Sequence, residues 1–223
     1  MKRLFLYMVS VFCLTSSLTI NGQAKTDKIA VFGSTSSNIS KNQLATAYQF
    51  GQMLGQQQKT LIHNGSIYGL SGAVYKGATE SKARVMNISI PDIFNLQCPV
   101  HHECRKNETV LKETLSESQN YASETADIIV ILPGGWETLK AFSDYAVAVQ
   151  MGTQKKKPVL FLNINHYWDN LRYQLDEMKR QKEMSEAETD YIAFIDKPRN
   201  MLSEATKLQK QIEKNATAPR KKK

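Results

Sequence analysis

Long apolar runs, cysteines and an excess of one charge on the body of the chain are all scarce here, and each scarcity excludes something. The main apolar run, Leu4 to Leu14, is shorter than the ~20 residues a bilayer-spanning helix needs. With Lys2 and Arg3 before it and Gly22-Gln23-Ala24 after it, residues 1–24 read as a signal peptide for export, removed near Ala24 and leaving no stable membrane anchor. The alternative is an uncleaved interfacial or membrane anchor. Cys13 lacks the small-residue context of a lipoprotein site, so lipidation is not expected. Of three cysteines only Cys98 and Cys104 lie beyond the leader, too few for a disulfide-built scaffold. The formal charge of +8 drops to +6 without Lys2 and Arg3, and five of the remaining positive charges lie between Lys214 and Lys223. The basic balance therefore belongs to the tail. The body carries no nucleic-acid-binding face, and residues 214–223 read as a basic disordered tail.

What is present, from residue 25 to residue 213, has the size of one α/β domain with a full core. It centres on DIIVILPGGWETLKAFSDYAVAVQ, a buried strand over 127–132, a turn at Pro133-Gly134-Gly135, and a helix from Trp136. A strand that breaks on two glycines into a helix leaves amides unpaired at the positive end of the helix dipole, a place for an anion. Thr138 adds a hydroxyl there and Trp136 a flat apolar wall. An ordinary strand-to-helix turn would look the same.

Further strands are expected at 28–33, 60–63, 84–90, 159–163 and 190–195, with helices at 41–57, from the Asn163–Trp168 segment to 182, and at 198–213. The first strand ends in Gly33 and Ser34, as first turns of nucleotide-binding sheets do. After the second come Gly65, Ser66, Gly69 and Gly72, which let backbone approach a phosphate or a neighbouring strand. Six strands alternating with helices predict a Rossmann-like, doubly wound parallel sheet in a single domain. His166 is read as the one histidine beside a ligand-facing strand end, more in keeping with a cap or surface role. In CPVHHEC, a Cys98–Cys104 disulfide, two free thiols, and a metal site using His101 and His102 stay open, in that order.

KIAVFGSTSS, HNGSIYGLSGAV, DIIVILPGGWETL and KKPVLFLNINHYWDNL, in that order and spacing, resemble the LONELY GUY (LOG) family, the lysine-decarboxylase-like Rossmann proteins. The most specific parts are the Pro-Gly-Gly turn and Asn163-x-x-x-Tyr167. The resemblance implies a homodimer that hydrolyses the N-glycosidic bond of nucleoside 5′-monophosphates, with no cofactor. Against the family pattern PGGxGTxxE, this chain has Glu137 at the second-turn glycine and Ala141 at the catalytic glutamate. The ungapped frame puts Ser118 and Gln119 where the family has an arginine–lysine pair; Arg105-Lys106 would serve only across an insertion. An alanine neither donates nor accepts a proton.

Glu137 lies one helical turn from Ala141, on the same face. It reads as a helix-start charge, a determinant of altered ligand choice, or a relocated catalytic carboxylate. The expectation is an exported LOG-like protein that binds a nucleoside 5′-monophosphate or phosphosugar through Gly33, Ser34, Gly65, Ser66, Gly69, Gly72, Gly134, Gly135 and Thr138, with hydrolysis lost or altered. The alternative is an inactive exported interaction protein on the same scaffold.

Overall fold

The computed structural model describes residues 27–217; the expected signal peptide over 1–24 and the last residues of the expected basic tail lie outside the described residues. Seven strands form one sheet: β1 (Lys28–Phe32), β2 (Thr60–His63), β3 (Arg84–Ser89), β4 (Glu108–Leu111), β5 (Ile128–Ile131), β6 (Val159–Leu162) and β7 (Ile192–Ile195). Their order is β4-β3-β2-β1-β5-β6-β7 and every pairing is parallel. The α/β doubly wound expectation holds.

The expected count of six strands is corrected by β4. This edge strand pairs only with β3, Met86 opposite Glu108 through Ser89 opposite Leu111. Its ETVL sequence is half-exposed and has no apolar run to betray it, because an edge strand needs burial on neither face.

Seven helices connect or flank the strands: α1 (Lys41–Gln56), α2 (Gly69–Glu80), α3 (Pro91–Gln97), α4 (Leu115–Thr125), α5 (Trp136–Gln150), α6 (Asp169–Arg180) and α7 (Met201–Thr217). Ser40 caps α1 by accepting from the Gln43 amide, and Thr114 with Glu117 forms a capping box on α4. The last helix starts after a 3₁₀ turn at Pro198–Asn200 and continues through Thr217, so Lys214 is helical and the expected tail boundary at 214 falls too early. Ile212, buried on the sheet side, carries the helix past that point. Among the described residues no helix is long and apolar enough to cross a membrane.

Alternate strand residues feed two cores. Ile29, Val31, Leu61, Val130, Leu132, Leu160 and Leu162 pack beneath α1, α2 and α7. Ala30, Ile62, Ile88, Ile129, Ile131 and Phe161 face α4 and α5. A sheet buried on both faces has strands that read as continuous apolar runs, which is why IIVIL and VLFL stood out. Helices α1 and α2 approach backbone to backbone: a Cβ on Gly51 would lie 2.1 Å from the Val74 carbonyl oxygen, and one on Gly77 2.1 Å from that of Tyr48.

Candidate functional site

Chain direction across the sheet reverses between β1 and β5, and in open parallel sheets the crevice at the carboxyl end of such a switch point is the ligand site. The loops after β1 and β5 meet there: the Ser34 amide donates to the Pro133 carbonyl (3.0 Å). The Pro-Gly-Gly turn then opens α5 on Gly135 with no side-chain cap, leaving the first-turn amides without an intrahelical acceptor. Thr138 is buried and folds back over Gly134, where a Cβ would meet its hydroxyl at 2.1 Å. Nothing lies within 4 Å of the Cβ position at Gly135, so backbone is open to a ligand at that residue.

The Asn163–Tyr167 segment has its explanation here. The Tyr167 hydroxyl donates to the Gly134 carbonyl (2.8 Å), clamping the turn from the β6 side. The Asn163 side chain accepts from the Trp168 amide (2.7 Å) and donates to Asp169 (2.8 Å), holding the tyrosine's loop in place. Asn165 and His166 both adopt positive φ to make this bend. His166 is exposed and paired with Asp169, outside the cleft.

Most glycines of the second expected turn serve the protein's own packing. The amides of Leu70 and Ser71 both donate to the Ser34 carbonyl (2.8 and 3.2 Å), so the start of α2 already holds an acceptor. Gly69 has φ +60° and lies 2.4 Å, by its Cβ position, from the same oxygen; Gly65 fits against the Phe94 ring and Gly72 against the Ile67 backbone. Buried Ser66 donates to Gln97 (2.7 Å) and accepts from the Tyr68 amide. Gly69 and Gly72 line a separate groove along α2, with Tyr48, Lys76 and His102. The two-turn phosphate cradle expected from the sequence therefore narrows to one turn, at Gly135 and the start of α5.

Beside that turn lies a hollow of about 490 Å³ including its open mouth, in which the free space between side chains is about 20 Å³, room for one water. Gly33, His63, Asn64, Ser71, Ser89, Ser118, Gln119, Glu137 and Thr138 supply its polar and backbone lining. Ser118 and Gln119, from α4, thus stand where the ungapped frame placed them, and the Gln119 amide donates to the Glu137 carbonyl (3.1 Å). Arg105 is elsewhere: it donates to Cys98 O (2.8 Å) and Asn95 Oδ1 (3.0 Å) and lies over the Phe94 ring. Lys140 is held by Asp144, by Ser116 (2.8 Å) and weakly by Gln119 (3.5 Å). Ala141 is buried within α5.

The Glu137 side chain is solvent-accessible, yet its carboxyl crowds into the cleft against Asn64. Desolvation raises its pKa above the ordinary carboxylate value, opposed by a hydrogen bond from the Asn64 side chain. Asn64 Oδ1 accepts from the Ser66 amide (3.1 Å) and the Ser71 hydroxyl (3.4 Å), which leaves its NH₂ group as the donor to Glu137.

The sequence reading missed His63. It ends β2, lines the cleft, is 3% exposed and stacks on Tyr75 with centroids 5.1 Å apart. Burial lowers its pKa to about 4, so the ring is neutral. Asn87 lies alongside and favours the proton, but neither ring nitrogen has a partner of good geometry; nor do Asn87 Oδ1 and Ser89 Oγ. Its place at the end of a four-residue run facing Gly-rich loop residues was the available signal.

Behind the second turn, Cys98 and Cys104 are joined in a disulfide, both fully buried, with Cα atoms 6.1 Å apart. Among the described residues no group of three or more His, Cys, Asp or Glu side chains is placed to hold a metal ion.

An all-parallel sheet whose switch point carries a clamped Pro-Gly-Gly turn and an adjoining hollow defines a Rossmann-like α/β protein. Residues 71–205 match the family model described as "Possible lysine decarboxylase", and the chain belongs to that family, the LOG family. It is 25% identical over 162 residues, 73% of this chain and 69% of the relative, to a probable cytokinin riboside 5′-monophosphate phosphoribohydrolase of Oryza sativa subsp. japonica. A second such protein, from Arabidopsis thaliana, is 28% identical over 165 residues, 72% of this chain and 78% of the relative. Among solved structures, the molybdenum cofactor binding protein of Rippkaea orientalis superposes with a TM-score of 0.60 at 18% identity, over 83% of this chain and 98% of that one. The Moco carrier protein of Chlamydomonas reinhardtii does so with 0.60 at 16%, over 84% and 99%. These two likenesses concern the fold.

Proposed function

We propose that this chain is an exported member of the LOG family that holds a nucleoside-class small molecule at the β1/β5 switch point without hydrolysing it at the rate its phosphoribohydrolase relatives are named for. The observation that carries this reading is the combination in one place of a retained Pro-Gly-Gly turn, Ala141 at the position of the motif's glutamate, and neutral Ser118 and Gln119 on the cleft wall. General acid–base groups contribute about 10²–10⁴-fold to such reactions, and N-glycosidic cleavage needs a carboxyl or equivalent beside the sugar. Glu137 is the one carboxylate in the cleft lining, tied to Asn64. The leader over 1–24 is the basis for proposing export, and the family resemblance is the basis for proposing a homodimer.

Purified mature protein incubated with adenosine monophosphate and with isopentenyladenosine monophosphate is expected to release no more base than a heat-inactivated control, followed by chromatography. Brisk release would overturn the loss of hydrolysis and assign Glu137 the catalytic part. The narrowness of the hollow favours a second reading, an interaction protein on the same scaffold that takes no small ligand. The two readings separate by thermal shift, since a ligand that binds only the native state must raise its stability.

A further inference from the structure

We propose that Cys104 is the thiol through which this chain acquires its disulfide: His102 takes its proton, the Cys104 sulfur attacks an external disulfide, and Cys98 then closes the bond. This goes beyond the reading above and stands whether or not the switch point holds a ligand. The first observation is the contact between base and sulfur. His102 Nδ1 lies 3.1 Å from Cys104 Sγ and also accepts from the Cys104 amide at 3.1 Å. Accepting that amide leaves the proton of the neutral ring on Nε2 and turns the Nδ1 lone pair toward the cysteine. The contact spans two residues at the start of the 3₁₀ turn Glu103–Lys106, so it is local and does not need the disulfide to hold it. Among the described residues His102 is the one side chain hydrogen-bonded to either sulfur, and it bonds Cys104. The charged neighbours are engaged elsewhere: Glu103 pairs with Lys106 (2.7 Å), and Arg105 donates to the Cys98 and Pro99 carbonyls and to Asn95. The nucleophile in such exchange is the thiolate, which a neighbouring imidazole favours.

The second observation is access. Both cysteines are fully buried, but the loop over them is surface: Pro99, Val100, His101 and Glu103 are exposed, and half-buried His102 lines the groove along α2. In the reduced chain an external disulfide reaches Cys104 from that groove. Nδ1 accepts the Cys104 proton, Sγ attacks one sulfur of the external disulfide, and a mixed disulfide forms as the first external thiolate leaves and takes the proton from the imidazolium. The Cys98 sulfur then attacks the Cys104 sulfur, closing Cys98–Cys104, and the second external thiolate leaves with the Cys98 proton. Two protein thiols are oxidised and one external disulfide is reduced to two thiols. What the bond fixes is the second glycine turn. Gln97, beside Cys98, accepts from the Ser66 hydroxyl (2.7 Å) and the Ile67 amide (3.2 Å), and the Cys104 carbonyl accepts from Asn87 (2.9 Å). The Ser66 amide in turn holds Asn64, the residue that meets Glu137. Closing the bond pins this turn from behind.

The test uses the chain from Lys25 onward, whose only cysteines are Cys98 and Cys104. It is reduced with dithiothreitol in urea, returned to native buffer without reductant, and mixed with oxidised glutathione; acid-quenched samples are read by mass spectrometry. His102→Asn is the informative variant, because asparagine caps a turn as this histidine does but takes no proton. Its disulfide is expected to close about tenfold or more slowly than the wild type's, with the same circular dichroism. Of the single-cysteine variants, Cys98→Ser, which keeps Cys104, is expected to form its glutathione adduct about tenfold or more faster than Cys104→Ser. The Ile67 amide is expected to exchange its hydrogen more slowly once the bond has closed. Equal closure rates in the wild type and His102→Asn, or equal or faster reaction at Cys98, would overturn the proposal. A reduced chain without the native circular dichroism would overturn it too, because the base is then not in place when the bond forms. Unchanged exchange at Ile67 would overturn the pinning of the turn.

Discussion

His63 shows what one buried ionisable side chain imposes on the protein. Its folded-state pKa of about 4 lies below the ordinary 6.5, so between those values the unfolded chain binds the proton more readily. Stability is therefore undiminished by this group above pH ~6.5, falls as the pH drops toward 4, and loses no more below that. The difference amounts to about 3 kcal/mol by the usual conversion of pKa into free energy. Urea unfolding at pH 7 and pH 4.5 is expected to show a steep loss in the wild type and a clearly smaller one in His63→Gln, in which every carboxylate titrates as before. Parallel losses in the two proteins would mean that the histidine is protonated in the folded state. Glu137 and Ala141 make the complementary point: the identity of a residue at a motif position was readable from the chain, but that the Glu137 carboxyl leans on Asn64, across β1, was not.

Among the elements, α1 and α2 set the level of precision that the site depends on, because α2 begins on the Ser34 loop of the cleft. Their contact is made through Gly51 and Gly77, each of which stands against a carbonyl of the other helix. Helix propensity alone makes Gly→Ala in a helix interior stabilising by about 1 kcal/mol. Here a methyl at Gly77 would sit 2.1 Å from the Tyr48 oxygen and 2.9 Å from the Gln52 nitrogen, both backbone atoms that cannot swing away. Overpacking of this type costs about 1–3 kcal/mol. Gly77→Ala is thus expected to lower the urea midpoint, whereas Gly152→Ala, at a positive-φ glycine with open space around it, tests backbone strain without any clash. A stabilised Gly77→Ala would show that the two helices separate easily. The same principle accounts for Gly65, Gly69 and Gly72: a glycine-rich stretch signals close approach, and the approach here is to Phe94, Ser34 and Ile67.

For the molecule as a whole, export and pairing are the proposals that reach beyond the described residues. The exported product is expected to begin at Lys25 on N-terminal sequencing and to have twice the mature chain's mass by light scattering; a retained leader or a monomer would contradict the corresponding part. Residue order alone carried the central strands, because a sheet covered on both faces demands apolar runs such as IIVIL and VLFL wherever it is placed. It also carried the Pro-Gly-Gly turn, the Asn163–Tyr167 segment, and the alanine and neutral residues at motif positions, since the chemistry of a side chain travels with its identity. It did not carry β4, whose edge position needs no hydrophobic pattern, nor the continuation of α7 to Thr217, held by Ile212. The sheet order decided the rest. By placing β1 between β2 and β5 it brings His63, Ser89, Gln119 and Glu137 to one cleft and turns the Ser34 carbonyl onto the amides of α2. Whether an amide is free for a ligand depends on which distant segment reaches it first, and that is settled by packing in three dimensions.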